Sequence, residues 1–355
     1  MNAEPLRVLI VDDSRIFRSV IEQALSGRND VQVVGSVWNG EKALEFARIS
    51  LPDFVTLDIE MPGIGGIATL RGLCELARVQ NRAIGVLLIS SYTERGATVT
   101  IEGLQEGAFD FITKPDGLDP NANAESLRVQ LFAKIDAFRS RRQIEPSTAS
   151  PTIQPTSVSP RVNRFRAVVI GASTGGPEAL TRVLPILVPV CPVPMFLVQH
   201  LPVNFTEYFT TSLSRRCGDR VMQATEGTIA EPGFLYVAQG GKHLVLNKID
   251  GKIVIGFSDS PPENGCRPAV DVLFRSASVA YAGQVLAVVL TGMGTDGAKG
   301  AAILKRSGAR IVVQDEETSV VWGMPGSVVA AGAADEVRAI SQIAPTLLAH
   351  LGVGG

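Results

Sequence analysis

Along most of the chain, short unbroken apolar runs alternate with segments whose apolar residues recur every three or four positions, a pattern that predicts strands and helices in turn. In the first 140 or so residues the runs are RVLIV (7–11), VQVVG (31–35), DFVTL (53–57), IGVLLI (84–89) and AFDFI (108–112). Helical periodicity covers about 14–26, 40–50, 66–78, 94–106 and 123–141. Strands that are apolar on both faces are covered on both faces, as in parallel sheets. A five-fold β-then-α alternation therefore predicts a doubly wound sheet with right-handed crossovers, whose sites lie at the carboxyl ends of its strands. The alternation resumes with FRAVVIG (165–171), MFLVQH (195–200), VLAVVLTG (285–292) and ARIVVQD (309–315), each followed by a helical pattern. Between about 219 and 258 the runs shorten to GFLYVA, HLVLN and KIVIGF with glycine turns between them, which predicts an antiparallel hairpin region inserted into a second α/β sheet. The fold class is α/β, with two doubly wound parallel-sheet domains.

Length agrees, since 355 residues suit about two domains. The boundary shows as a change of composition: in PSTASPTIQPTSVSP (146–160), 11 of 15 residues are Pro, Ser or Thr, too little apolar surface to offset ordering. The expected division is 5–141, a linker over 142–164, and 165–353. With 33 Lys and Arg against 35 Asp and Glu, a net charge of −2 gives no reason to expect a nucleic-acid or anionic membrane surface. Four cysteines, Cys74, Cys191, Cys217 and Cys266, lie far apart without zinc-finger spacing, as reduced thiols would. No leader and no membrane-spanning apolar run is evident, so a soluble, cytoplasmic protein without membrane insertion is expected.

Candidate chemistry falls at the strand ends. Asp12 and Asp13 follow the first strand and Asp58 the third, and in the inferred fold these ends are neighbours. Each aspartate alone reads as a helix N-cap. Together they crowd like charges that Mg²⁺, a hard cation taking carboxylates, water and phosphate oxygens, would relieve. Ser90 ends the fourth strand and Lys114 follows the fifth, a hydroxyl and an ammonium suited to a phosphoryl group. Over about 5–140 the sequence resembles the receiver domains of two-component response regulators, which are flavodoxin-like. That resemblance implies that Asp58 accepts the phosphoryl group, Asp12 and Asp13 hold Mg²⁺ with it, Ser90 is the switch hydroxyl, Lys114 contacts the phosphoryl group, and Phe111 is the aromatic that reorients. The segment MPGIGG (61–66) departs from the pattern, since receivers usually carry an Asp before its second Gly.

In the second half, AVVIGASTGGP (167–177) runs from a strand through a glycine-rich turn into a helix, and Gly171 to Gly175 fits G-x-S-x-G around Ser173. By itself the turn reads first as a nucleotide phosphate loop, and next as a nucleophile turn or a packing turn. Only three histidines occur. His200 ends MFLVQH at the same sheet edge as Ser173; His243 starts a short strand and reads as a surface or structural residue; His350 reads as an exposed helix position. Asp296, in the loop after VLAVVLTG with Met293, is an N-cap by local sequence but stands at a third strand end. Ser, His and Asp there form a Ser-His-Asp system in the order Ser173, His200, Asp296. An ordinary α/β-hydrolase order would instead require His350 as base.

GASTGGP, QHLP, RPAVDVLF (267–274), TGMGTDGA and GMP (323–325) give residues 166–350 a resemblance to the catalytic domain of the chemotaxis protein-glutamate methylesterases. The catalytic half is then Rossmann-like with a β-hairpin insertion. The resemblance implies a serine hydrolase without a cofactor of its own, acting on methyl esters, and on glutamine amides, of methyl-accepting chemotaxis receptors, with a chemotaxis histidine kinase as phosphodonor. It places the triad at Ser173, His200 and Asp296, an oxyanion donor at Met293 and a supporting hydroxyl at Thr174. Gln239, where Pro is usual, and Gly326, where a larger residue is usual, depart from the family. Two other classes stay in view: a receiver fused to a dinucleotide-dependent oxidoreductase, which would require an acidic residue where Gln199 and His200 stand, and a non-catalytic binding module.

Overall fold

The five apolar runs of the first half become β1 (Leu6–Val11), β2 (Val31–Val37), β3 (Phe54–Asp58), β4 (Gly85–Ser90) and β5 (Asp110–Thr113), all parallel in the order β2-β1-β3-β4-β5. The computed structural model describes residues 4–142 and 165–353; the Pro/Ser/Thr-rich stretch expected as a linker lies outside the described residues. Helices α1 (Arg15–Leu25), α2 (Gly40–Ile49), α3 (Gly65–Val79), α4 (Glu94–Gln105) and α5 (Pro120–Arg142) connect and flank the strands. The side chains of Ser14, Asn39 and Thr93 start α1, α2 and α4 by accepting the N–H groups of Phe17, Lys42 and Gly96. Every residue of β3 and β4 is buried. Phe54 of β3 packs against Phe109 and Phe138, with the three ring centroids 5.3 to 6.0 Å apart. Strand order reverses between β1 and β3, so the crevice at their carboxyl ends is the switch point where such folds hold ligands.

The described residues fall into two compact units, and the second is built on a seven-stranded sheet. Its strands are β6 (Ala167–Ala172), β7 (Met195–Gln199), β8 (Val221–Gln223), β9 (Leu235–Val237), β12 (Val285–Val289), β13 (Arg310–Gln314) and β14 (Glu336–Arg338). They are parallel in the order β14-β13-β12-β6-β7-β9-β8. Strands β10 (His243–Ile249) and β11 (Lys252–Ser258) form a separate antiparallel hairpin. The expected hairpin region is thus narrower than its sequence suggested, because GFLYVA enters the parallel sheet as β9. All three β9 residues are buried, a run covered on both faces rather than an alternating one. Helices α6 (Gly176–Leu187), α7 (Val203–Cys217), α8 (Val270–Ala280), α9 (Ala298–Arg306), α10 (Gly323–Ala330) and α11 (Ile340–His350) complete the unit. Strands β6 and β12 are wholly buried, and each Val or Ile so placed contributes about 1.5–3 kcal/mol. The chain moves from β6 outward to β7 and later returns on the other side with β12, so the ends of β6, β7 and β12 border the switch point. No described helix is long and apolar enough to cross a membrane.

Candidate active site and acidic pocket

At the switch point of the first unit, Asp12 and Asp58 are buried and Asp13 is exposed. Each buried carboxylate is pinned by one backbone N–H: Ser14 donates to Asp12 Oδ1 at 2.8 Å and Glu60 to Asp58 Oδ1 at 3.1 Å. Their other oxygens face Lys114, whose Nζ lies 2.7 Å from Asp58 Oδ2 and 3.0 Å from Asp12 Oδ2. Burial, and then the Asp58 charge beside it, pushes the Asp12 carboxyl up to about 6 although Lys114 pulls the other way. Asp12 Oδ2 has no hydrogen bond of good geometry despite the nearby ammonium, and oxygens of Asp12, Asp13 and Asp58 lie within 4.8 Å of one another. A buried carboxylate oxygen whose hydrogen-bonding capacity Lys114 leaves unfilled, among three hard donors, fits Mg²⁺. The Ser90 hydroxyl is fully buried at the end of β4, 2.7 Å from the Thr100 hydroxyl, and the Lys114 N–H donates to Ser90 O. Phe111 is half-buried on β5. Sequence reasoning missed Thr100, and also Phe17, whose ring lies 4.8 Å below the Lys114 ammonium; helical spacing from Asp12 and Ser90 alone does not mark them.

In the second unit Ser173 follows β6 and His200 follows β7, in strands that register Ala172 opposite Gln199. The Ser173 backbone is held from three sides: its N–H donates to Thr291 O, and its carbonyl accepts from Gly176 N–H and Gln199 Nε2. Gly175 takes a left-handed φ of 75° to turn the chain into α6, and a side chain there would strike Val320. A Cβ on Gly292 would lie 2.8 Å from Ser173 Cβ, so the loop after β12 passes directly against the serine. Ser173 is half-buried, and its hydroxyl has no hydrogen bond among the described residues. The Met293 N–H likewise has no acceptor among them. Thr174 is buried, and its carbonyl accepts from the Thr291 hydroxyl at 3.0 Å.

His200 Nε2 stands 2.8 Å from Asp296 Oδ2. Asp296 does not cap the helix that follows it, since Gly297 fills that position. Its carboxylate instead receives Val270 N–H at 2.7 Å and Asp271 N–H at 3.0 Å, capping α8 from another part of the chain, with Gly297 N–H and Asn264 Nδ2 as further donors. Burial opposes its charge, but the His200 hydrogen bond and these N–H groups outweigh that and hold the carboxyl below its usual range. Burial likewise opposes a charged His200, while the bond to Asp296 and the neighbouring Cys266 thiol raise the ring to about 9.

Residues 263–266 form a tight hairpin over this pair. Asn264 and Gly265 both have positive φ and Glu263 and Cys266 exchange backbone hydrogen bonds, the type I′ arrangement that Asn-Gly favours. Arg275 grips Glu263 through two hydrogen bonds of 2.7 and 2.6 Å. The hairpin sets Asn264 on both Asp296 and Asp271, and Cys266 Sγ 3.5 Å from His200 Nδ1. Sequence reasoning passed over Asn264, Cys266 and Asp271; the Asn-Gly pair just ahead of RPAVDVLF was the available signal. His243 is wholly buried, accepting Ala269 N–H through Nδ1, so it is structural. His350 is not exposed as expected: it bonds Glu336 at 2.6 Å, which also holds Arg310 and Arg338, because α11 packs over the β14 edge.

An acidic phosphoacceptor-type pocket on a flavodoxin-like sheet, followed by a Rossmann-like sheet carrying serine, histidine and aspartate at its switch point, defines a response regulator with a hydrolase output. Family comparison agrees: residues 8–121 match the response regulator receiver domain and 168–347 the CheB methylesterase domain. The chain belongs to the CheB protein-glutamate methylesterase family. It is 40% identical over 98% of its length, and 95% of the relative's, to the protein-glutamate methylesterase/protein-glutamine glutaminase of Nocardioides sp.. Identity to the protein of the same name in Thermotoga maritima is 37%, over 98% of this chain and 99% of that one. The crystal structure of the Thermotoga maritima CheB methylesterase catalytic domain matches with a TM-score of 0.51 and 40% identity, covering 52% of this chain and 97% of that one.

Proposed function

We propose that the chain hydrolyses glutamate methyl esters, and deamidates glutamines, on methyl-accepting chemotaxis receptors, as a cytoplasmic adaptation enzyme activated by phosphorylation. In this reading the receiver spans 5–141, the catalytic domain 165–353, and 142–164 joins them. Ser173 attacks the side-chain carbonyl. His200 takes its proton and returns it to the leaving methanol, or to ammonia when the substrate is an amide. Because Nε2 is committed to Asp296, Nδ1 is the nitrogen that receives the proton, the reverse of the ring orientation in the chymotrypsin arrangement. Asp296 orients the ring and stabilises its charged form. The Met293 N–H receives the oxyanion, a contribution of about 3–4 kcal/mol in comparable hydrolases, and Thr174 supports the turn beside Ser173. Water then releases the glutamate. The carrying observation is the His200–Asp296 pair standing at the strand end next to Ser173, with the Asp296 carboxylate fastened on a helix N-terminus.

Receivers of this family use Mg²⁺ for phosphorylation. Here Asp12, Asp13 and Asp58 would hold the ion, which would neutralise charge as the phosphoryl group arrives. Asp58 is the acceptor, Lys114 and Ser90 meet the transferred group, and Phe111 follows the Ser90 hydroxyl. The phosphodonor is a chemotaxis histidine kinase. The test is methanol release from methylated receptor: Ser173→Ala should fold normally and lose release entirely, whereas undiminished function in that variant would return the binding-module reading.

A further inference from the structure

The hairpin at 263–266 places a thiol against Nδ1 of His200, the ring nitrogen that Asp296 does not engage. Sγ of Cys266, a ring nitrogen of His200 and an oxygen of Asp296 lie within 4.8 Å of one another, and both Cys266 and His200 are only partly buried. Resting on the esterase reading, we propose that His200 Nδ1 and Cys266 Sγ form an inhibitory binding site for a thiophilic divalent metal of the Zn²⁺ type.

The geometry suits that ion. With Zn–S near 2.3 Å and Zn–N near 2.05 Å, two ligands of a tetrahedral site stand about 3.6 Å apart; Sγ and Nδ1 are 3.5 Å apart already. Asp296 on Nε2 supplies the carboxylate–histidine–metal relay that orients metal-binding imidazoles and fixes the tautomer with its lone pair on Nδ1. The thiol is held by a tight turn and by the Glu263–Arg275 pair, so little ordering remains for binding. On ligation the Cys266 thiol gives its proton to solvent, and any proton on Nδ1 leaves as well. Water would fill the remaining positions, since both ligand side chains are only partly buried. A soft sulfur and an imidazole select Zn²⁺ over Mg²⁺, so the ion that serves the acidic pocket of the receiver would not occupy this one. Since Nδ1 is the proton acceptor, metal and catalysis exclude each other.

The test uses the full-length protein in excess Mg²⁺, which fills the receiver carboxylates, with Co²⁺ as the probe. The wild type should develop the near-ultraviolet thiolate-to-cobalt charge-transfer absorption at one equivalent, and Zn²⁺ should discharge it. Cys266→Ser and Cys266→Ala should both lack it. Zn²⁺ should suppress wild-type methanol release, and in either variant, normalised to its own metal-free rate, half-suppression should need at least about tenfold more Zn²⁺, since even an outer-sphere partner of a metal ligand is worth that much. A wild type without the absorption, or variants as sensitive to Zn²⁺ as the wild type, would overturn the site. Absence of methanol release in the Mg²⁺ buffer free of Zn²⁺ and Co²⁺, with a small phosphodonor present, would sink the esterase reading instead, and the cobalt absorption would still report on the metal.

Discussion

At the scale of single residues, the proposed base is the group whose environment matters most. To act as a base His200 must be neutral, yet Asp296 and Cys266, the ionisable groups that face its two nitrogens, hold its proton to about 9 against the effect of burial. Below that value the neutral fraction grows tenfold per pH unit. In metal-free buffer kcat/KM should therefore climb with unit slope from about pH 7 and level off near 9; a plateau already reached at the ordinary histidine range, about 6.5, would show that the ring is unperturbed. The same shift has a consequence for stability. A folded-state value above the unfolded one means that the protonated ring stabilises the fold fully below about 6.5, and that this contribution is lost as pH rises through about 9. Activity and this part of stability thus move in opposite directions with pH.

At the scale of elements, helices α8 and α9 are joined by an exchange of caps. Asp296, just before α9, receives the first N–H groups of α8, while Asp271, in the first turn of α8, receives Gly300 N–H of α9 at 2.6 Å. Asn264 bridges the two carboxylates. Burial raises the Asp271 carboxyl, so its charge is sustained only by these donors. Asp271→Ala should lower stability by about 1–3 kcal/mol by leaving Gly300 N–H unpaired and Asn264 with Asp296 as its remaining acceptor. It should also reduce kcat by roughly a hundredfold through a displaced Asp296, with KM little changed. Equal losses in kcat and stability-corrected protein amount would mean that the clasp only supports the fold. This clasp also marks how far the sequence could be read. Strands apolar on both faces, and chemistry at their ends, were plain from β1, β3, β6 and β12, because burial on two faces leaves an unbroken signature. Asp296 looked like a local cap because sequence spacing shows only the helix that follows; its actual helix, α8, begins 26 residues earlier and meets it only in the folded sheet. β9 was misjudged for a related reason: a three-residue strand carries too few positions to separate an alternating pattern from a doubly buried one.

At the scale of the whole molecule, the two sites share no residues. Every group of the esterase site, from Ser173 to Asp296, belongs to the second unit, and every group of the acidic pocket, from Asp12 to Lys114, to the first. Each unit has its own buried sheet, so each should fold without the other. Phosphorylation at the proposed acceptor Asp58 would therefore supply no catalytic group to the second unit. The added phosphoryl charge of about −1.5 to −2 competes for Lys114, which now spans Asp12 and Asp58, and that redistribution is the local event available for transmission. If the unphosphorylated receiver obstructs the esterase, deleting residues 1–145 should raise basal methanol release to the level that the full chain reaches with a small phosphodonor and Mg²⁺. Asp58→Asn in the full chain should stay at the basal level with or without the donor. A truncated enzyme no faster than the unphosphorylated whole protein would rule out obstruction, and if phosphorylation still accelerated the full chain, the receiver would have to act by favouring contact with the receptor.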